Sequence, residues 1–350
     1  MTETNLISDT DDISCTISLV RSIGSPFISK DQNSVKESRI LYELAKKNKV
    51  GLLYLDAVSK SGRLNDLKKE YESELLRYND FLAGMSYVHK IFIEEQLDYV
   101  FFKTLRPYPG IGRDADVMVL GQKKAYEKIA ALLVKRGYKS INVSATGINL
   151  VDPLTTIDID LQREFATNYI IWLDKSLWPA YIQKRRLPDG EHINVLSSSM
   201  EIIVAIVHDL MEQTYYLGDY YSFLYYLHEL GEENLRSLGK ELKENRLLDA
   251  GRVFFTITAA LHRRAHDMIP NELNILLSEL GPNSREADRL KKNDYRVAHK
   301  YSWTTLIAGI FEKMTELNFL YSFFNQVLHM FNVNTAKLVF LEIRNRAKQS

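Results

Sequence analysis

Two aspartate pairs have the types and spacing for chemistry: Asp114-Ala115-Asp116 in GRDADVMVL and Asp158-Ile159-Asp160 in TTIDIDLQ. In a β-strand, residues two apart point the same way, so Asp114 and Asp116 share a face opposite Ala115, Val117 and Val119. In the second stretch Asp158, Asp160 and Gln162 share a face opposite Ile157, Ile159 and Leu161. Carboxylates held side by side repel and shift each other's pKa, so something must compensate them. No lysine or arginine alternates with them in either stretch. A divalent cation is the economical partner, because Mg²⁺ takes hard oxygen ligands and is usually held by one or two carboxylates plus substrate phosphates. Two such ions about 4 Å apart can activate an attacking oxygen and neutralise the departing one in an in-line phosphoryl displacement. One Asp-x-Asp alone reads as a solvated strand edge or a turn cap. Its repetition in successive strands, each apolar on the reverse face, is what points to chemistry.

The elements that must position these acids follow from periodicity. From Ser34 to about residue 60, apolar residues at helical spacing, broken near Asn48 to Gly51, predict a helical pair. Residues 66 to 96 predict one long amphipathic helix through Leu75, Leu82, Met85, Val88, Phe92 and Ile93. Strands are expected at 97–105, 114–120 and 155–165 and at YKSINVS, with a helix over QKKAYEKIAALLVKRGY that ends at Gly137. From residue 199 the chain reads as helical almost throughout. The expected division is a flexible tail over 1–33, a helical region over 34–96, an α/β core over 97–198 and an α-helical domain over 199–350.

Composition removes several classes. With 45 Lys plus Arg against 45 Asp plus Glu, the net charge of zero gives no global pull toward nucleic acid or an anionic membrane. The single cysteine, Cys15, cannot form an internal disulfide, and no Cys/His cluster has zinc spacing. The acidic start lacks the basic and apolar regions of a signal peptide, and no apolar run approaches the roughly 20 residues of a membrane span. A soluble, cytoplasmic protein is expected.

In their order along the chain, LLYLDAVSKSG, YVFFKTL, GRDADVMVL, AALLVKRGYKS and IDIDLQREF resemble the nucleotidyltransferase fold, and within it a group of uncharacterised nucleotidyltransferases of bacteria and archaea. The resemblance covers roughly residues 35 to 230. It implies an α+β fold: a nucleotidyltransferase-like mixed sheet core between an N-terminal helical region and a largely α-helical C-terminal region. It implies transfer of an NMP from an NTP to an acceptor hydroxyl by attack on the α-phosphate, dependent on Mg²⁺ or Mn²⁺. Asp114 and Asp116 would be the paired metal ligands. Asp160 would be the third carboxylate, as general base or second-metal ligand, with Asp158 the alternative. Lys103, Arg106 and Arg113 are the cations expected around the triphosphate. Gln162 stands where the family often has histidine. The family's phosphate-binding turn usually has a glycine, often followed by serine; here Lys103 is followed by Thr104, whose hydroxyl would donate to a phosphate while Gly110 or Gly112 gives close approach. That departure keeps open a non-catalytic nucleotide-binding or protein-interaction module retaining the fold. The acceptor is open: a small molecule, a protein side chain or an RNA end, the last unsupported by net charge.

Other features weigh less. His208 and Asp209 form an HD dyad, but an HD phosphohydrolase needs a further histidine and a distant aspartate on neighbouring helices. The Tyr-Tyr pairs at 215/216, 220/221 and 225/226 are spaced by five, which rotates each about 140° from the last, so they cannot form one stacking face and read as packing. Asp219 beside them is a candidate for the acceptor pocket. The runs KRR at 184–186 and HRR at 262–264 read as solvated helix faces. A DxD glycosyltransferase would build several βα units before its acidic pair, whereas one clear strand precedes it here.

Overall fold

The structure is a computed structural model that describes residues 11–28, 37–110, 112, 114–144, 146–151, 157–167 and 169–330. The expected helical pair is present as α2 (Arg39–Lys47) and α3 (Gly51–Lys60). Ser38 caps α2 by accepting from Leu41 N, and the break between the helices falls where Asn48 to Gly51 predict it. The long helix is α4 (Lys68–Glu94). Before all of these, α1 (Asp11–Ile23) departs from the expected flexible tail. Leu19, Val20 and Ile23 are buried in the core, and Arg21 Nε donates to the Ala265 carbonyl. The acidic opening masked an amphipathic segment, and residues 1–10 and 29–36 lie outside the described residues.

The α/β part runs β1 (Tyr99–Phe101), β2 (Asp114–Val119), α5 (Lys123–Lys135), β3 (Lys139–Val143), β4 (Gly147–Val151) and β5 (Asp158–Gln162). A small hairpin follows, β6 (Phe165–Thr167) with β7 (Ile170–Leu173), then a 3₁₀ turn over Lys175–Tyr181 and the hairpin β8 (Ile182–Arg186) with β9 (His192–Leu196). Lys184, Arg185 and Arg186 therefore lie on an edge strand, not on the solvated helix face the charge run suggested. Seven strands form one mixed sheet in the order β3-β4-β5-β2-β1-β9-β8, with β2/β5 and β1/β9 parallel and the other pairs antiparallel.

The helical remainder is α6 (Ser198–Glu212), α7 (Leu217–Glu244), α8 (Leu248–His266), α9 (Asn271–Leu280), α10 (Ser284–Lys292), α11 (Trp303–Lys313) and α12 (Leu317–Met330). Two short strands, β10 (Thr214–Tyr215) and β11 (His299–Lys300), pair between them. Helix α7 kinks at Gly231, whose φ of 66° suits glycine. Among the described residues no helix is long and apolar enough to cross a membrane.

The protein is thus α+β, and its sheet separates two apolar cores. Tyr99, Phe101, Ala115, Val117, Val119, Ile159 and Leu161 face α4 and α5, where they meet Met85, Phe92, Ile129 and Leu133. Val100, Phe102 and Met118 face the helical domain. Asp114 and Asp116 share the Met118 face of β2, so the period-2 pattern turns both acids toward the helical domain. Gly84 fits α4 to this sheet: a Cβ there would lie 2.8 Å from Ile157 Cγ2.

Candidate active site

Parallel pairing of β2 with β5 sets Asp114 beside Asp158 and Asp116 beside Asp160, so all four acids lie in register on adjacent strands. Asp116 is 8% exposed; the other three are half-buried. Two groups compensate Asp116 and Asp160. Lys103 Nζ lies 3.6 Å from Asp116 Oδ1. The Gln162 amide donates to both Asp116 Oδ1 (3.3 Å) and Asp160 Oδ2 (2.8 Å), bringing the two carboxylates within reach of one nitrogen. Gln162 thus ties the two acid strands together.

Burial pushes the Asp116 carboxyl up to about 7; Lys103 pulls the other way, and Asp114 and Asp160 add their repulsion. Asp160 is also raised by burial, against the Gln162 hydrogen bond. Burial works against the Lys103 charge, but Asp116, Asp114 and Asp160 outweigh it and hold the ammonium above the ordinary lysine range.

Lys103 follows β1 with φ 54°, a left-handed turn that ends the strand and aims its backbone N–H at the Glu201 carboxylate (3.0 and 3.3 Å). Burial pushes Glu201 up to about 7, opposed by that backbone donor. The expected strand over 97–105 is therefore only Tyr99–Phe101.

Thr104 does not take the expected role. It is 1% exposed, its hydroxyl donates to the Phe102 carbonyl (2.9 Å), and its oxygen accepts from Asp116 N (2.8 Å). The side chain locks the end of β1 onto β2 and has no access to a phosphate. Thr104→Val is expected to leave the buried Asp116 N–H unpaired and to cost about 1–3 kcal/mol in urea unfolding, with Thr104→Ser close to wild type.

Arg106 lines the cavity but is committed to structure: Nη1 donates to the Lys49 carbonyl and to Tyr108 Oη, both at 2.7 Å, and Tyr108 in turn donates to the Gly218 carbonyl. A Cβ at Gly218 would lie 2.7 Å from Arg106 Nη1, so the α7 start must be bare for this clamp to close. Arg113 lies outside the described residues.

The acids open on a cavity of about 460 Å³ between the sheet and the helices. Asp114, Asp116, Lys103, Gly110 and Gly112 form one wall, whereas Asp158 and Asp160 lie one strand away from it. The opposite walls bring residues that sequence reasoning missed: Lys46 and Lys49 at the α2–α3 turn, Glu74 and Arg77 of α4, and Glu201 of α6. Glu201 carried a signal, as the acid opening an otherwise apolar run, EIIVAIV. Asp219 and His208 also line the cavity. The Lys103 charge first, then burial and the charges of Lys49 and Arg106, hold the His208 imidazole well below the ordinary histidine range. The tyrosines 215, 220, 221 and 226 are buried packing residues, while HRR contributes a buried His262 bonded to Ser25.

The oxygen donors of β2 and β5 suit Mg²⁺ or Mn²⁺ chemically. Among the described residues, however, no three His, Cys, Asp or Glu side chains are arranged to hold a metal ion. The Lys103 ammonium and the Gln162 amide stand between the acids instead. The same finding leaves His208 and Asp209 without the further ligands of an HD centre.

No protein-family model matches the sequence, and no curated protein does. Among solved structures, an antigenic nucleotidyltransferase-like protein from Paracoccidioides brasiliensis is similar to this chain over 65% of its length and 96% of the other's, at 11% identity and a TM-score of 0.28. So slight a likeness carries no argument, and the α+β class stands on the sheet and helices themselves.

Proposed function

We propose that the protein binds a nucleoside triphosphate in the cavity and transfers its NMP to an acceptor hydroxyl, releasing pyrophosphate. The observation that carries this reading is that Asp114 and Asp116, paired in register with Asp158 and Asp160 one strand behind, form the wall of a cavity that also gathers Lys46, Lys49 and Lys103. Acids on one side and lysines on another match a ligand that is itself a cation plus a polyphosphate. Asp114 and Asp116 would hold Mg²⁺ or Mn²⁺ with phosphate oxygens completing its shell, and the bound ion supplies charge neutralisation at the transferring phosphoryl group. The chain's own groups do the rest. Lys103 is placed to exchange Asp116 for a phosphate oxygen. Asp160, freed from Gln162, is the group to take the acceptor's proton, and Asp158 is the alternative. The acceptor would enter from the Asp219 side of the cavity.

The second reading, a non-catalytic nucleotide-binding or interaction module, is favoured by one observation: Thr104 is spent on the backbone, and Asp116 and Asp160 already have partners in Lys103 and Gln162. Incubation of the protein with each α-labelled NTP, Mg²⁺ and a cell extract separates the two. Label on an acceptor, absent with Asp116→Asn, supports transfer; NTP binding with no pyrophosphate released across all acceptors supports a nucleotide-binding module; absence of NTP binding sinks both of these and leaves only an interaction module.

A further inference from the structure

The helices α11 and α12 carry an apolar face that nothing in the described chain covers. On α11, Trp303, Ile307 and Phe311 are 71%, 48% and 71% exposed; on α12, Leu317, Tyr321, Phe324 and Leu328 are 82%, 73%, 51% and 66% exposed. The α12 set has spacings of four, three and four, the 3.5-residue period that keeps one seam of a helix against a partner helix.

The opposite side of α12 is already used. Phe319 is fully buried against Trp172, with ring centroids 4.9 Å apart, and Ser322 Oγ accepts from Ile171 N. The helix is therefore apolar on both sides, a pattern that belongs to a helix buried all round. It contains no Asp, Glu, Lys or Arg. The two charged residues of α11 are both turned inward: Glu312 accepts from Leu248 N and Asp249 N, and the fully buried Lys313 bonds Glu316 and the Asn245 carbonyl.

We infer that this face is the contact between two copies of the chain, α12 and its neighbour α11 packing on the same helices of the second copy about a twofold axis. Area supports it. Large side chains bury roughly 150–250 Å² each when covered, so these seven, at their present exposure, would remove on the order of 1,000 Å² per copy, against the roughly 800 Å² per partner of a specific interface. Chemistry supports it too. An uncharged aliphatic and aromatic face has no charge pattern with which to select a different partner, and it is complementary to itself, as a twofold contact requires. A membrane surface fits less well, because interfacial helices flank their apolar face with Lys and Arg and these do not.

The test is the mass of the full-length chain in solution by sedimentation or light scattering, up to about 100 µM, a range that detects even weak self-association. The expected mass is twice the 40.5 kDa of one chain. Tyr321→Glu and, separately, Phe311→Glu should raise the dimer dissociation constant at least tenfold, with circular dichroism unchanged because each side chain is more than 70% exposed in the single copy. A monomer throughout that range overturns the inference, as does a dimer that neither substitution weakens. A monomer that dimerises only after residues 331–350 are deleted assigns the face to the chain's own last segment. A monomer that binds phosphatidylcholine–phosphatidylserine vesicles, and loses that binding with Tyr321→Glu, assigns it to lipid. Both results also overturn the inference.

Discussion

Asp116→Asn is expected to remove metal-dependent NTP turnover, by roughly a hundredfold or more, the scale seen when one charge-stabilising group is lost from a transition state. The same substitution should leave the fold no less stable. Burial raises the folded pKa of Asp116 from 3.8 to about 7. The folded state therefore holds the proton more tightly than the unfolded chain, so this group's contribution is most favourable at low pH and is lost as pH rises from about 4 to 7. Asparagine keeps the shape, removes the ionisation and should flatten that fall, so the variant should melt no lower than wild type at pH 8. Loss of turnover with stability kept separates a chemical role from a structural one. If the variant unfolds and retains specific activity in its folded fraction, Asp116 is a packing residue.

Glu286→Ala should be among the most damaging single changes to stability, at about 3–5 kcal/mol, the cost of breaking a buried, fully bonded charge network. The Glu286 side chain is 1% exposed and joins three elements. Oε1 accepts from Ser302 N (3.1 Å) and the Thr305 hydroxyl (3.0 Å) at the start of α11; Oε2 lies 3.2 Å from His299 Nε2 of β11; and Arg289 Nη1, one turn on in α10, donates to Oε1 at 3.1 Å. Burial works to raise this carboxyl, but the donors from His299, Ser302 and Thr305 outweigh it and hold it at about 2. Its folded pKa is depressed, so the stabilisation is fully present above pH 4.5 and is lost as pH falls from there to about 2. That window corresponds to about 3 kcal/mol. Urea midpoints between pH 6 and pH 2 should show a fall in wild type that Glu286→Gln reduces. Parallel curves for the two proteins would count against the network.

The acid strands were legible because period-2 alternation is a local property: Ala115, Val117, Ile159 and Leu161 had to face a core, so the aspartates had to face away from it. The break at Asn48 to Gly51 and the long α4 were legible for the same reason, since spacing and glycine act within a few residues. Which core each face met was not written locally. Whether Thr104 turns to a phosphate or to its own backbone is decided by Asp116 N, which strand pairing brings to it from twelve residues away. Arg106 is drawn from the site by a carbonyl at Lys49, 57 residues back. Lys46 and Lys49 reach the cavity from the α2–α3 region and its second acid wall comes from α6 and α7, and only tertiary packing gathers them. The helix α1 was missed because an acidic stretch precedes Ile17, Leu19 and Val20, and their partners lie near residues 221 and 265.

The central claim is that Asp114 and Asp116 hold a metal ion together with nucleotide phosphates, and ligand-induced thermal stabilisation tests it most directly. A ligand at a hundred times its dissociation constant stabilises the folded state by about 2.7 kcal/mol. For the wild-type protein an NTP should raise the melting midpoint with Mg²⁺ or Mn²⁺ present and much less without it, and Asp116→Asn should abolish the difference. Stabilisation that is equal with and without the metal, or that survives unchanged in Asp116→Asn, would contradict it.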